Sequence, residues 1–277
     1  MTLALVLGGG GVAGIAWETG ILAGLAAQGV DVTTADRIVG TSAGSVVGPQ
    51  LASGIPLEDL FDAQIRQTVP EKFVPYALQE EKEHWTRITE GANDPAMAMR
   101  RIGDYAVSSA ATSEHERLSI IEARLPRSEW PEKELILTSV DIHSGRLKTW
   151  TQQDGIPLSH AVAASCAMPG AWPPVTIAGR RYMDGGIEST THATLAEGCD
   201  ACLVIAPFPG GLWGGGSIEA ELDALPNVAT ALLEPDDASI RAIGGNPLDP
   251  ATRVPAAHAG RDQGMAAAER IASLLGL

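Results

Sequence analysis

Leu3–Leu7 is a short uncharged apolar run, and it stops at GGGGVAG, Gly8 to Gly14, where five of seven residues are glycine. Ile15–Gln28 follows as a helix with Ile15, Ile21, Leu22 and Leu25 on one face and Gly29 as its stop. Arg37–Gly40 (RIVG) reads as a second buried strand, and Ala43–Ala52 as a helix too uniformly apolar to lie on a surface. The first 53 residues therefore alternate strand, glycine loop, helix, strand, tight turn, helix. Parallel strands need such crossovers, so this start implies an α/β fold with a mostly parallel sheet.

Residues 57–134 change character. Charges become frequent, strand signals vanish, and Pro56–Gln67, Asp94–Ser109 and Ser113–Leu125 read as helices. We read a helical insert or cap after the second helix, within a single domain spanning 1–277. Strands are expected at Leu135–Val140, Arg146–Trp150, Arg180–Met183 and Cys202–Ala206. Helices are expected at Pro157–Met168, Thr190–Glu197 and Ala256–Leu275, the last as a packing helix. Residues 207–217 and 244–255 are Gly/Pro-rich and read as loops, the first of them flexible. The acidic Glu80, Glu81 and Glu83 suit a solvated helix face.

The charge excludes some function classes. With 34 acidic and 19 basic residues the formal net charge is −15, which disfavours nucleic-acid binding and electrostatic adsorption to anionic lipid. Three cysteines (Cys166, Cys199 and Cys202) form no disulfide scaffold, and Cys199-x-x-Cys202 lacks the second pair a zinc site needs. No metal and no organic cofactor is expected. Leu3–Leu7 has no positively charged lead, and no stretch of 18 uncharged apolar residues occurs. The expectation is a soluble cytoplasmic protein with at most transient membrane-surface contact. The oligomeric state is not legible in the sequence.

Gly40-Thr41-Ser42-Ala43-Gly44 is a G-x-S-x-G between an apolar strand and an apolar helix, the context of a nucleophile elbow. The alternative is a glycine-lined turn with a capping serine. The loop Gly8–Gly14 can offer backbone N–H groups to an oxyanion. Gly9, Gly11 and Gly14 also fit a dinucleotide-binding G-x-G-x-x-G, although that reading leaves Ser42 without a role, and no G-K-[ST] follows to suggest a kinase. Asp184-Gly185-Gly186 at a strand end is the candidate base. The six histidines carry no flanking pattern of a base; His192 and His258 follow Asp184 and would satisfy the chain order of a triad.

On these motifs the chain resembles the bacterial patatin-like phospholipase family. GGGGVAG is similar to the family's oxyanion loop, GTSAG to its nucleophile motif, Asp184-Gly185 to its catalytic aspartate motif, and ASCAMPGAWPPV to the stretch before it. The four stand in family order over residues 3 to about 206. The resemblance implies a three-layer α/β/α fold and a Ser–Asp dyad without histidine. It implies Ser42 as nucleophile, Asp184 as base, oxyanion donors at Gly9, Gly10 and Gly11, and supporting glycines at Gly40, Gly44 and Gly185. The expected activity is hydrolysis of fatty-acyl esters, of a phospholipid or lysophospholipid. The alternatives are an acyltransferase of the same fold or a non-catalytic lipid- or nucleotide-binding module. Two positions differ from the family: Ala13 stands where a basic residue is common, and His192 where asparagine is usual. A groove for the acyl chain is expected in the helical insert, with Phe61, Phe73, Trp85, Met97 and Met99 as candidate lining.

Overall fold

The computed structural model describes residues 1–69, 71–110, 112–208 and 217–276. Residues 209–216, most of the first expected loop, lie outside that set. One eight-stranded sheet forms the centre. Its strands are β1 (Leu3–Leu7), β2 (Arg37–Gly40), β3 (Glu134–Asp141), β4 (Arg146–Trp150), β5 (Val175–Ile177), β6 (Arg180–Asp184), β7 (Ala201–Ile205) and β8 (Ala229–Leu233). The main order is β5-β6-β3-β2-β1-β7-β8, with β4 paired to β3. From β3 through β8 that path is parallel, and β4, β5 and β6 are antiparallel additions.

Helices cover both faces, as alternation along the strands requires. Leu3, Leu5, Leu7 and Ile38 pack into the larger core. That core is built with α1 (Gly11–Ala27), α2 (Ala43–Ala52), α3 (Leu57–Arg66), α7 (Leu158–Ser165) and α10 (Arg253–Leu275). Ala4, Val6 and Val39 face the other way, toward a 3-10 turn at Ala193–Ala196 and the short helix α8 (Ile218–Asp223). On that same face Val140 and Met183 meet Trp85 of α4 (Leu78–Thr89) and Ile102 of α5 (Pro95–Ser109). The remaining helices are α6 (Glu114–Arg124) and α9 (Asp237–Ile243). Among the described residues no helix is long and apolar enough to cross a membrane. The three cysteines are unpaired and buried.

Local signals explain where elements start. Asp94 and Ser113 accept from the backbone N–H groups of Met97 and Glu116, capping α5 and α6. Several elements depart from the sequence reading. α1 begins at Gly11, inside the glycine run; α4 carries the acidic Glu80, Glu81 and Glu83 expected on a helix face, and β5, α8, β8 and α9 have no counterpart in the sequence reading. Thr190–Glu197 forms only the 3-10 turn, and 244–255 includes the start of α10. The unanticipated strands are short: VTI, and ATALL at the sheet edge, whose order comes from pairing rather than composition.

Candidate active site

Two strands meet end to end at the site. Leu137 of β3 pairs with Gly40 of β2 on one edge and with Trp150 of β4 on the other. Ser139 pairs with Lys148 of β4 and with Asp184 of β6. Hence β2 and β6 occupy the same edge of β3, β6 running back along the overhang that β2 leaves. The chain exits β2 into Ser42 where β6 delivers Asp184. Residues 142 apart are thereby placed side by side, and Ser42 Oγ donates to Asp184 Oδ2 at 2.7 Å.

The turn at Ser42 is strained, with φ 51° and ψ −107°. Its side chain makes no capping hydrogen bond to α2, so the capping-serine alternative does not describe it. Close packing holds the elbow. A Cβ at Gly44 would sit 2.1 Å from the Leu7 carbonyl oxygen, and one at Gly40 would sit 2.6 Å from the Gly44 carbonyl oxygen. Gly185 is equally constrained, because its Cβ would lie 2.5 Å from Thr138 Oγ1. The end of α7 clamps the same turn: the Ser42 N–H donates to Ser165 Oγ at 2.9 Å, and Cys166 Sγ donates to the Ser42 carbonyl at 3.1 Å. The Asp184 N–H donates to the Ala167 carbonyl at 3.0 Å. Ser165, Cys166 and Ala167 lie in ASCAMPG, so this segment fixes both partners; residue type alone did not single them out.

Asp184 is fully buried. Burial raises its pKa to about 7, against the hydrogen bonds from Ser42 and the Gly186 N–H and the field of Arg117, which lower it. The loop Gly8–Gly14 lies over the serine; a Cβ on Gly9 would be 3.6 Å from Ser42 Cβ. Its donors differ from expectation in one respect. The Gly9 N–H is already bound to the Thr190 carbonyl at 2.8 Å, so Gly9 shapes the loop and has no N–H to spare. The N–H groups of Gly10 and Gly11, at the N-terminus of α1, meet no acceptor among the described residues, and neither does that of Ala43. Ala43 is a candidate donor that the sequence reading did not include, although the residue after an elbow serine is a general place to look.

The histidines stand apart. His192 is buried with its Nε2 3.1 Å from the Gly185 carbonyl, and burial lowers its pKa. His258 packs edge-on against Phe61. Neither is hydrogen-bonded to Ser42 or Asp184 among the described residues.

A narrow cleft with about 40 Å³ of open space reaches Ser42 and Asp184. Gly9–Gly11 form one side, and the insert contributes Lys72, Tyr76, Leu78, Arg117 and Arg124. Met168, Trp172 and Leu248 complete its apolar part. The insert thus borders the cleft, but not through the expected residues. Trp85 and Met99 are core side chains, Met97 lines a separate surface groove, and Phe61 packs under α10.

The sequence profile described as Patatin-like phospholipase matches residues 5–196, which carry all four motifs and both members of the Ser42–Asp184 pair. The chain belongs to the patatin-like phospholipase family. Uncharacterized NTE family proteins of Mycobacterium tuberculosis and Mycobacterium bovis are 28% identical to this patatin-like chain over 235 residues, covering 83% of it and 54% of their own length. The chain therefore spans about half the length of these curated relatives. Among solved structures, VipD from Legionella pneumophila superposes with a TM-score of 0.46 at 14% identity, covering 97% of this chain and 66% of VipD. The type III effector ExoU superposes at 0.42 and 16% identity, over 97% of this chain and 53% of ExoU.

Proposed function

We propose that this patatin-like protein hydrolyses carboxylic esters of fatty-acyl lipids through a Ser42–Asp184 dyad. The observation that carries the reading is the 2.7 Å hydrogen bond from Ser42 Oγ to the buried Asp184 carboxylate at a strained strand-to-helix turn. An exposed aspartate near its ordinary value of 3.8 is a feeble base; one raised to about 7 is matched to neutral pH.

In the proposed cycle Ser42 Oγ attacks the ester carbonyl while Asp184 takes its proton. The oxyanion that forms meets the N–H groups of Gly10, Gly11 and Ala43, where each donor is typically worth ~3–4 kcal/mol. Collapse expels the alcohol, which leaves with the proton held on Asp184. A water molecule, deprotonated by Asp184, then attacks the acyl-Ser42 ester, and the fatty acid departs as Ser42 recovers its proton. The Gly186 N–H keeps Oδ1 occupied at 2.8 Å, so Oδ2 faces the serine throughout. The apolar side of the cleft, with Leu78, Met168 and Leu248, suits an acyl chain, each buried CH₂ contributing ~0.8 kcal/mol.

Labelling with a fluorophosphonate and turnover of a p-nitrophenyl acyl ester test the reading. Wild type should label at Ser42 and turn over the ester; Ser42→Ala and Asp184→Asn should fall to background, and His192→Ala should keep most of the rate. A Ser42→Ala protein that retains turnover sinks the dyad. Product analysis in the presence of an acceptor alcohol separates hydrolysis from acyl transfer.

A further inference from the structure

We propose that Glu221 is a positioning residue for the oxyanion loop, acting through Thr190 on Gly9. The proposal rests on the hydrolase reading above and names what holds the donors of that same site in place.

Gly8–Gly11 are four consecutive glycines, and a glycine imposes little preference on its own backbone. The direction in which Gly10 and Gly11 aim their N–H groups must therefore be set from outside the run. Three backbone hydrogen bonds tie its start. The Gly8 N–H donates to the Ile205 carbonyl at 2.9 Å, the Gly8 carbonyl accepts from the Gly44 N–H at 3.0 Å, and the Gly9 N–H donates to the Thr190 carbonyl at 2.8 Å. The first two lean on β7 and on the elbow. The third is the tie next to Gly10, and it leans on 188–192, a stretch between two 3-10 turns with no helix or strand of its own.

Glu221 of α8 holds that stretch. Its Oε1 accepts from Ser189 Oγ, and its Oε2 accepts from Thr191 Oγ1 at 2.8 Å and from the Ala193 N–H at 2.7 Å. These donors bracket Thr190 on both sides. Ser189 Oγ in turn accepts from the N–H groups of Thr191 and His192, at 3.2 and 2.9 Å. His192 sits at φ 53°, where a residue other than glycine is seldom found, so the turn needs such external ties. Ser189, Thr191 and Ala193 are buried, and no lysine or arginine forms an ion pair with Glu221 among the described residues. The carboxylate thus holds neutral donors, and hydrogen bonds to an ionised acceptor are roughly twice as strong as neutral ones. Tying α8 to the core would take only one of these bonds. Three of them, converging around Thr190, fix the carbonyl that Gly9 meets.

The test measures kcat and KM on a short p-nitrophenyl ester, per site titrated to completion with fluorophosphonate. It compares wild type, Glu221→Ala, Glu221→Gln and the double variant Ser189→Ala with Thr191→Val. Glu221→Ala and the double variant should lower kcat by about tenfold or more with KM near wild type, the scale of a slightly misplaced catalytic group. Affinity for an alkyl trifluoromethyl ketone should fall by the same factor as kcat/KM. Ser42 Oγ adds to the ketone carbon, its proton passes to Asp184, and the former carbonyl oxygen becomes an oxyanion held by the loop. Glu221→Gln should keep part of both, because its amide oxygen can still accept from Thr191 and Ala193. A merely structural role would lower the melting temperature and leave kcat per site and ketone affinity unchanged. That result, or an effect confined to KM, overturns the proposal. Amide exchange of wild type answers even if no variant folds: the Gly9 N–H should exchange more slowly than those of Gly10 and Gly11, and equal rates overturn the anchor. The two readings fail separately. A wild type that neither labels nor turns over the ester, while Glu221→Ala speeds Gly9 exchange, defeats the hydrolase reading and leaves Glu221 holding the loop. A wild type that labels at Ser42, while Glu221→Ala keeps its kcat, defeats the role of Glu221 alone.

Discussion

Asp184→Asn should stabilise the protein, and increasingly so as pH rises. The substitution is nearly isosteric and keeps both contacts: the amide oxygen can accept from the Gly186 N–H, and the amide nitrogen can donate to Ser42 Oγ. What changes is the charge. In the unfolded chain the carboxyl titrates near 3.8, and in the folded protein burial raises it to about 7. A raised folded pKa means that the fold favours the protonated carboxyl. Its contribution is therefore fully present below 3.8 and is lost progressively as pH rises through about 7. From pH 5 to about pH 7 the unfolded carboxyl is ionised while the folded one keeps its proton, so wild type loses about 1.4 kcal/mol per pH unit over about two units, roughly 3 kcal/mol. Every other titrating group is common to both proteins and cancels in the difference. Urea unfolding of wild type and Asp184→Asn at several pH values from 5 to 8 measures that difference. It should grow toward pH 7 by roughly 3 kcal/mol and then level off. A difference flat with pH would refute the claim that the carboxyl is buried and titrates near neutrality.

Further outcomes follow from the same geometry. If Asp184 must be ionised to act as base, kcat/KM on a short p-nitrophenyl ester should climb with pH to a plateau above about 7, as a pH–rate profile will report. Ser42→Gly should unfold at higher urea than Ser42→Ala, by about 1 kcal/mol, because only glycine removes the Cβ strain at φ 51°; equal midpoints would remove the strained elbow from the argument. Gly44→Ala should cost more than about 4 kcal/mol or give no soluble protein, since its Cβ would overlap the Leu7 carbonyl. A soluble variant with a wild-type melting temperature would show that the elbow is not packed this tightly.

The parts of this protein that were legible in its sequence are those set by short-range physics. GGGGVAG and GTSAG lie between strands and helices whose apolar runs can be read directly. β2 (Arg37–Gly40) and α2 (Ala43–Ala52) stand at the residues expected from them. The alternation of the first 53 residues already required a sheet covered on both faces, and Ser42, Asp184 and the glycine loop were identifiable as a set through their resemblance to a known family. What the chain could not disclose is what depends on partners far away in sequence. Gly9 carries a glycine's freedom, but whether its N–H is available depends on Thr190, and Ala43 became a candidate donor only once its N–H was seen without an acceptor. Trp85 and Met99 have the composition of a groove and the burial of a core, because α4 and α5 lie on Val140 and Met183. Arg117 lies in the helix expected over Ser113–Leu125, and no motif in the sequence marks it. Only the packing of α6 against Cys166 and Trp172 turns it into a buried cation facing the cleft, because a side chain's solvation is set by the surfaces that close over it and not by its neighbours in the chain.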